Sequence, residues 1–363
     1  MYKPTVIRLG FLSCIFCTGL LVQAQPITTP REPSPAASVT QTVGISTINI
    51  NYSRPAIKGR EIWGKLVPYG WNVQGFGAGN SGPWRAGANE NTVLKLSHSA
   101  TIEGHLVPAG EYGLFFVINK DNSGEVILSK DYRSWGSFWY DPKLDEMREK
   151  ITVRDLPAST ERLTYTFEPL NKNSAELDLN WERKQFPVKI EFAVDDIVMS
   201  NAIEELKNTT GFGWQGYASA ADYALQNKVN SAQALKWIDQ AIAINQNFDD
   251  LSDKAGLLKQ AGDSMGSQKI MKDAIAIATE TELNNYGYQL LGQQQFNKAI
   301  DVLKLNTLNH PASANVWDSL GEAYALAGDK KNAIASFKKS LGMNPPGPTK
   351  ENSEKYMKQL GAM

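Results

Sequence analysis

Two short segments of this chain concentrate the side chains that could do chemistry. Pro83-Trp84-Arg85-Ala86-Gly87-Ala88-Asn89-Glu90 brings together an indole, a guanidinium, an amide and a carboxylate, after a Gly-rich loop and just before a strand-like run. Trp135-Gly136-Ser137-Phe138-Trp139-Tyr140 supplies flat, amphipathic faces of the kind that stack on sugars or peptides. Trp84, Arg85, Asn89, Glu90, Trp135, Trp139 and Tyr140 are therefore the ligand-binding candidates. The competing role is structural: aromatics at sheet ends close a core, and an Arg–Glu pair pins a loop.

Nucleophile, metal and phosphate chemistry have less to work with. Only His98, His105 and His310 exist. His310 precedes Pro311 at a turn. His98 and His105 could meet across a hairpin through residues 100–104, with Glu103 or Glu111 beside them, but exposed strand-end histidines are the simpler reading. There is no Gly-x-Ser-x-Gly elbow, no P-loop, and no Gly-x-Gly-x-x-Gly that opens a helix. No catalytic residue is assigned, and neither a metal nor another cofactor is expected.

The N-terminus reads as an export signal. Lys3 and Arg8 form a positive start, residues 9–22 an apolar stretch, and Val22-Gln23-Ala24 a cleavage site. Residues 1–24 are thus a signal peptide, and residues 25–36 an extended, Pro-rich lead-in. Cys14 and Cys17 both fall in the leader, so disulfides, Cys-bound zinc and a thiolate nucleophile are not expected in the mature chain. Neither cysteine has the neighbours of a lipid-attachment site. Export without cysteine points to a periplasmic or secreted protein. Taking away Lys3 and Arg8 moves the formal net charge from −1 to −3. No basic run or basic–aromatic stripe argues for nucleic acid, and no further stretch is long and apolar enough to span a membrane.

The elements that must position these side chains change character midway. Over residues 37–193 the pattern has period two, with Gly, Pro and Asn at the turns, which predicts an antiparallel β-sandwich or barrel-like domain. Strands are expected at 38–43 and 45–52 around Gly44, then at 92–96, 111–118, 125–129, 162–167, 175–181 and 186–192. One helix is expected at 141–150, with Asp141 as N-cap and Pro142 in the first turn.

Beyond residue 195 the pattern is helical and repeats. Gly287 and Gly321, Ala299 and Ala333, and Pro311 and Pro345 are each 34 residues apart, the period of a tetratricopeptide (TPR) array of helix–turn–helix units. Trp317, Leu320, Gly321, Tyr324, Gly328, Ala333, Phe337 and Pro345 fit the TPR offsets in the last full unit. About four units are expected over residues 195–349, closed by a capping helix within 350–363.

Within the β-region, Arg54-Pro55-x-x-Lys58-Gly59-Arg60, Leu66-Val67-Pro68-Tyr69-Gly70, Trp84-Arg85-Ala86-Gly87-Ala88-Asn89-Glu90 and Leu106-x-Pro108-Ala109-Gly110-x-Tyr112-Gly113-Leu114-Phe115 resemble the DUF2911 family, as does the Trp135–Tyr140 segment. The resemblance covers about residues 30–192. It implies an exported bacterial protein, some relatives of which carry a TPR tail. It brings no established activity and no catalytic residues. Residues 71–82 read as an insertion between two of these motifs.

Stacked helix pairs create a groove for an extended chain, so a protein or peptide partner is the expected ligand of the repeats. Asn285, Tyr286, Tyr288, Gln289, Asn315, Asp318 and Ser319 fall between packing positions and are the candidates to line it. The whole then reads as an exported, non-catalytic adaptor whose β-domain binds a second ligand. Two alternatives stay open. One is a hydrolase acting on carbohydrate or peptidoglycan fragments, with Glu90 and Asp131 or Asp141 as acid and base and Trp84, Trp135 and Trp139 as platform. The other is carbohydrate binding without turnover.

Overall fold

A computed structural model describes residues 33–362; the expected signal peptide and most of the expected lead-in lie outside the described residues. The chain divides at Glu191/Phe192 into two units.

The first unit is built from antiparallel sheets. Strands β1 (Ala36–Val43), β2 (Ser46–Ser53), β3 (Asn72–Val73), β4 (Ser81–Gly82), β5 (Val93–Leu96), β6 (Ala100–Ile102), β7 (His105–Val107), β8 (Gly110–Ile118), β9 (Ser123–Ser129), β10 (Asp145–Thr152), β11 (Arg154–Asn171) and β12 (Ser174–Glu191) follow in order. Six form one sheet in the order β1-β2-β5-β8-β9-β10, four another in the order β11-β12-β6-β7, and β3 and β4 pair as a small ribbon. The expected hairpin at Gly44 is a two-residue turn, with Val43 opposite Ser46 and Gly44 at φ +59°.

The sheets meet through rings. Tyr52 stands edge-on to Tyr165 at 4.7 Å and Phe116 to Phe186 at 5.2 Å, and the Tyr52 hydroxyl accepts from the Tyr165 backbone N–H. Strand β8 is buried on both faces, as its unbroken apolar run suggests. Phe115 and Val117 pack with Ile127, Tyr140 and Trp71, so the Trp71 end of the insertion covers that face.

Two sequence expectations differ from the structure. The expected strands at 175–181 and 186–192 belong largely to one 18-residue strand, β12. Glu182 takes a positive φ of 51°, and the ladder shifts opposite Thr160. The buried positions are odd before this bulge (Leu177, Leu179, Trp181) and even after it (Phe186, Val188, Ile190). The buried face of β12 changes at this irregularity, where the surplus residues of the ladder lie on the partner strand β11, and in sequence the change looks like a break.

The helix expected at 141–150 is also absent. Asp141 does cap a helical turn, accepting from the Lys143 N–H, but that turn is a 3-10 segment, Pro142–Leu144. Residues 145–152 are edge strand β10, paired with β9. Met147 and Ile151 face inward while charges fill the solvent side, a composition that protects an edge and imitates a polar helix.

The second unit is helical: α1 (Val194–Glu205), α2 (Trp214–Asn227), α3 (Ser231–Ile244), α4 (Phe248–Gln260), α5 (Ser264–Ile277), α6 (Glu280–Gly292), α7 (Phe296–Asn309), α8 (Ala314–Leu326), α9 (Lys330–Leu341) and α10 (Gly347–Gln359). Asn230, Asn247, Asp263, Thr279 and Asp329 cap helix N-termini through their side chains, and Thr279 forms a reciprocal capping box with Glu282. Helices α2–α9 form four antiparallel pairs in a TPR-like array. The fourth pair and α10 share a core of Leu320, Tyr324, Ala333, Phe337 and Met357 with the third pair. No helix among the described residues is long and apolar enough to cross a membrane.

Candidate functional site

Three segments of the first unit converge on a cleft of about 650 Å³. One wall is the loop after β2, bearing Lys58, Arg60 and Lys65. It is held by Ile57 N–H to the Glu161 carbonyl and Lys58 N–H to the Glu161 carboxylate, at 2.9 and 3.0 Å. Gly64, at φ +83°, lets the chain turn beneath the Tyr69 ring, where a Cβ would come within 2.7 Å.

The opposite wall is residues 82–88. Trp84 exchanges two backbone hydrogen bonds with Phe116, at 2.8 and 2.9 Å, so its ring is fixed to the sheet. That ring lies nearly parallel to Trp181, with centroids 5.8 Å apart, and Trp63 stands edge-on to both. Trp181 is buried, lines the cleft, and has no hydrogen-bond partner for its indole N–H.

Arg85 is the most constrained charge. Its Nη1 donates to the Asn89 carbonyl at 2.6 Å, and its guanidinium lies over the Phe138 ring at 5.0 Å. Gly136, at φ +65°, passes directly over it. Burial lowers the Arg85 pKa. Arg60 donates to the carbonyls of Ile57 and Ala56. Among the described residues no carboxylate forms an ion pair with Lys58, Arg60, Lys65 or Arg85, and none lines the cleft. The surface is thus rich in hydrogen-bond donors and cations, with an aromatic floor.

The sequence candidates divide around this cleft. Trp84 and Arg85 line it. Asn89 holds the loop instead: at φ +61°, its amide donates to the Ser34 carbonyl and the Ser53 hydroxyl. Tyr140 is buried; its hydroxyl donates to Asp145 and accepts from Arg148. Trp135 and Trp139 are half exposed and lie outside the cleft lining, Trp139 meeting Phe76 of the insertion. Glu90 is exposed. The carboxylates paired with it in the hydrolase alternative serve turns. Asp131 accepts from the backbone of Arg133 and Ser134 and from the Ser134 hydroxyl, and Asp141 caps its 3-10 segment.

The histidines do not share a site. His98 lies 3.1 Å from the Ser46 hydroxyl, and His105 pairs with Glu149 at 3.4 Å. Among the described residues no group of three or more His, Cys, Asp or Glu is placed to hold a metal ion. Sequence reasoning passed over Lys58, Arg60, Lys65 and Trp181. The signal available was the pair of cations in the Lys58-Gly59-Arg60 segment.

In the repeats, Asn285, Gln289 and Asn315 are exposed. The other four candidates join neighbouring units. Tyr286 packs edge-on to Phe248 of α4. The Tyr288 hydroxyl donates to Glu322 at 3.1 Å and lies 3.4 Å from the Ser319 hydroxyl. Tyr356 of α10 donates to the other Glu322 oxygen at 3.0 Å. Asp318 is buried and accepts from Asn352 and Ser353 of α10. Tyr288, Glu322 and Tyr356 are successively 34 residues apart, so the ladder has the period of the repeat. Asp318 and Ser319 face the adjoining helix, not an open groove, because each supplies the polar contact between one unit and the next.

Residues 34–190 match the model of a family described as "Protein of unknown function (DUF2911)". No curated protein matches the chain. Solved TPR structures are similar to part of it. One is YrrB, described as a TPR protein with an unusual peptide-binding site, at 13% identity over 44% of this chain and 84% of that one, TM-score 0.28. Another is pilF of Pseudomonas aeruginosa, at 20% identity over 42% of this chain and 71% of that one, TM-score 0.28. A third is MamA (AMB-1), at 20% identity over 41% and 83%, TM-score 0.27.

Proposed function

We propose that this is an exported, non-catalytic adaptor, whose repeats hold a segment of a partner protein and whose β-unit holds a second ligand. The observation that carries the reading is the inter-unit ladder. It fixes the first helices of the third and fourth pairs and the closing helix α10 to one another through Tyr288, Glu322 and Tyr356 while leaving Asn285, Gln289 and Asn315 exposed beside it. A rigid row of helices with free amide side chains suits recognition of an extended backbone, since amides both donate and accept. The engagement of Asp131 and Asp141 in turns favours binding over hydrolysis. Placement in the periplasm rests on the leader read in the sequence.

The test uses the full chain in cells. A photo-crosslinking residue replaces Asn285, Asn315 or, on the second helix of a pair, Lys298. Discrete adducts from Asn285 and Asn315 but not Lys298 are expected. Equal labelling from all three positions, or none from any, would rule out the groove as the binding surface.

A further inference from the structure

We propose that the β-unit cleft binds a small organic anion, a phosphate or carboxylate carried on a ring, with Arg85, Lys58 and Lys65 meeting the charge and Trp84 the ring. The proposal rests on reading the β-unit as a ligand-binding half, and it names what that half takes.

Four observations converge. Among the described residues, the cleft lining holds four cationic side chains and no carboxylate. Clustered like charges in a concave site repel one another, and an anion relieves that repulsion. Arg85 is half-buried, and its Nη1 donates to a neutral carbonyl, so much of its planar donor fork is available to a bidentate acceptor. Its lowered pKa has the same origin: burial without a compensating negative charge. Finally, the buried Trp181 N–H adds a neutral donor without a partner, which an acceptor oxygen would satisfy.

The aromatic floor narrows the class. Trp84 is locked by its backbone pairing with Phe116, and Trp63 and Trp181 support its ring. Such a preorganised face favours a ligand with a flat or ring-shaped body over a bare ion. Phosphate and carboxylate share the chemistry recognised here, and an aromatic or sugar ring would fit the same face.

The experiment is calorimetric titration of the full chain at low salt. Phenyl phosphate, benzoate, glucose 6-phosphate and glucuronate are the anionic probes. Benzyl alcohol and methyl glucoside are the neutral ones, and inorganic phosphate tests the charge alone. At least one anionic ring probe is expected to bind tenfold or more tightly than its neutral counterpart and than inorganic phosphate. The tightest member names the head group and ring. Arg85→Met should weaken it by roughly tenfold or more, as loss of a charge-assisted pair does. Lys58→Gln with Lys65→Gln should weaken it several-fold, while Lys143→Gln, outside the cleft, should not. Both cleft lysines are exposed, so their variants decide the matter even if Arg85→Met does not fold. Equal binding of neutral and anionic probes, or binding indifferent to the lysine pair, would overturn the proposal. Crosslinking from Asn285 and Asn315 reports on the repeats alone, so failure of either reading leaves the other standing.

Discussion

Gly321 of α8 lies against the ring of Phe337 of α9, so closely that a Cβ on Gly321 would come within 2.8 Å of ring carbons. One period earlier Gly287 meets Leu303, with a Cβ approach of 2.6 Å. The helix pairs are held at this spacing by a missing side chain on one helix and a large one on the other.

Gly321→Ala should therefore destabilise the helical unit despite improving local helix propensity. Overpacking costs about 1–3 kcal/mol, against a propensity gain of about 1 kcal/mol, so a net loss of roughly 1 kcal/mol is expected. Phe337→Leu in the same chain should recover part of it. Gly292→Ala, where a new Cβ meets nothing within 4 Å, should be neutral or stabilising. Thermal unfolding of the parent and these three variants checks this. A Gly321→Ala protein as stable as Gly292→Ala would refute it.

Removing the acceptor of the ladder should loosen the end of the array. Glu322→Ala leaves the hydroxyls of Tyr288 and Tyr356 without their shared acceptor. The loss should be about 1–2 kcal/mol, a typical cost for partly buried hydrogen bonds to a charge. It should appear first as faster amide exchange in α10, which joins α8 through this contact and through Asn352 and Ser353. Glu322→Gln keeps one acceptor oxygen and should exchange more slowly than Glu322→Ala. Uniform exchange across all three proteins would count against the ladder.

These contacts also explain what could be read from the chain. Gly321 and Phe337 are close in sequence, so their packing recurs as a short period and the array is legible. The cleft is assembled differently. The loop bearing Lys58 and Lys65, the Arg85 segment and Trp181 of β12 arrive from distant parts of the chain, and no local spacing links them. Trp84 and Arg85 stood out because they are adjacent. Lys58 and Lys65 looked like ordinary surface lysines, and Trp181 like an ordinary core residue. The same locality misled at residues 145–152, where charges on an edge strand imitate a helix, and at Glu182, where a positive φ and an irregular ladder accompany a change in the strand's alternation.

Gly136 gives a test of how firmly Arg85 is positioned. A Cβ there would lie 2.1 Å from the guanidinium carbon, and φ is +65°. Gly136→Ala should thus displace Arg85 from the Asn89 carbonyl and strain the backbone, lowering stability by about 1–3 kcal/mol. In an Arg85→Met background the steric part of that loss should shrink, leaving the backbone part. A double-mutant cycle by urea unfolding measures the coupling. Strict additivity would show that Gly136 and Arg85 do not constrain each other.

The repeats carry a pH dependence of definite sign. Asp253 of α4 has its pKa raised from 3.8 to about 7, first by burial and then by the charges of Asp222, Asp250 and Asp249. Its folded-state pKa exceeds the unfolded value, so between about pH 4 and 7 the folded chain holds a proton that the unfolded chain has released. Stability must then fall as pH rises through that window and level off above it. Asp253→Asn cannot ionise and should remove this part of the fall. Allowing for partial solvent screening, the variant should be more stable than the parent by about 1–3 kcal/mol at pH 8. At pH 4 the two should be nearly equal, because Asp253 is protonated in the folded parent. Urea unfolding at both pH values measures the difference, and a gap that is the same at pH 4 and pH 8 would show that Asp253 does not titrate as its surroundings dictate.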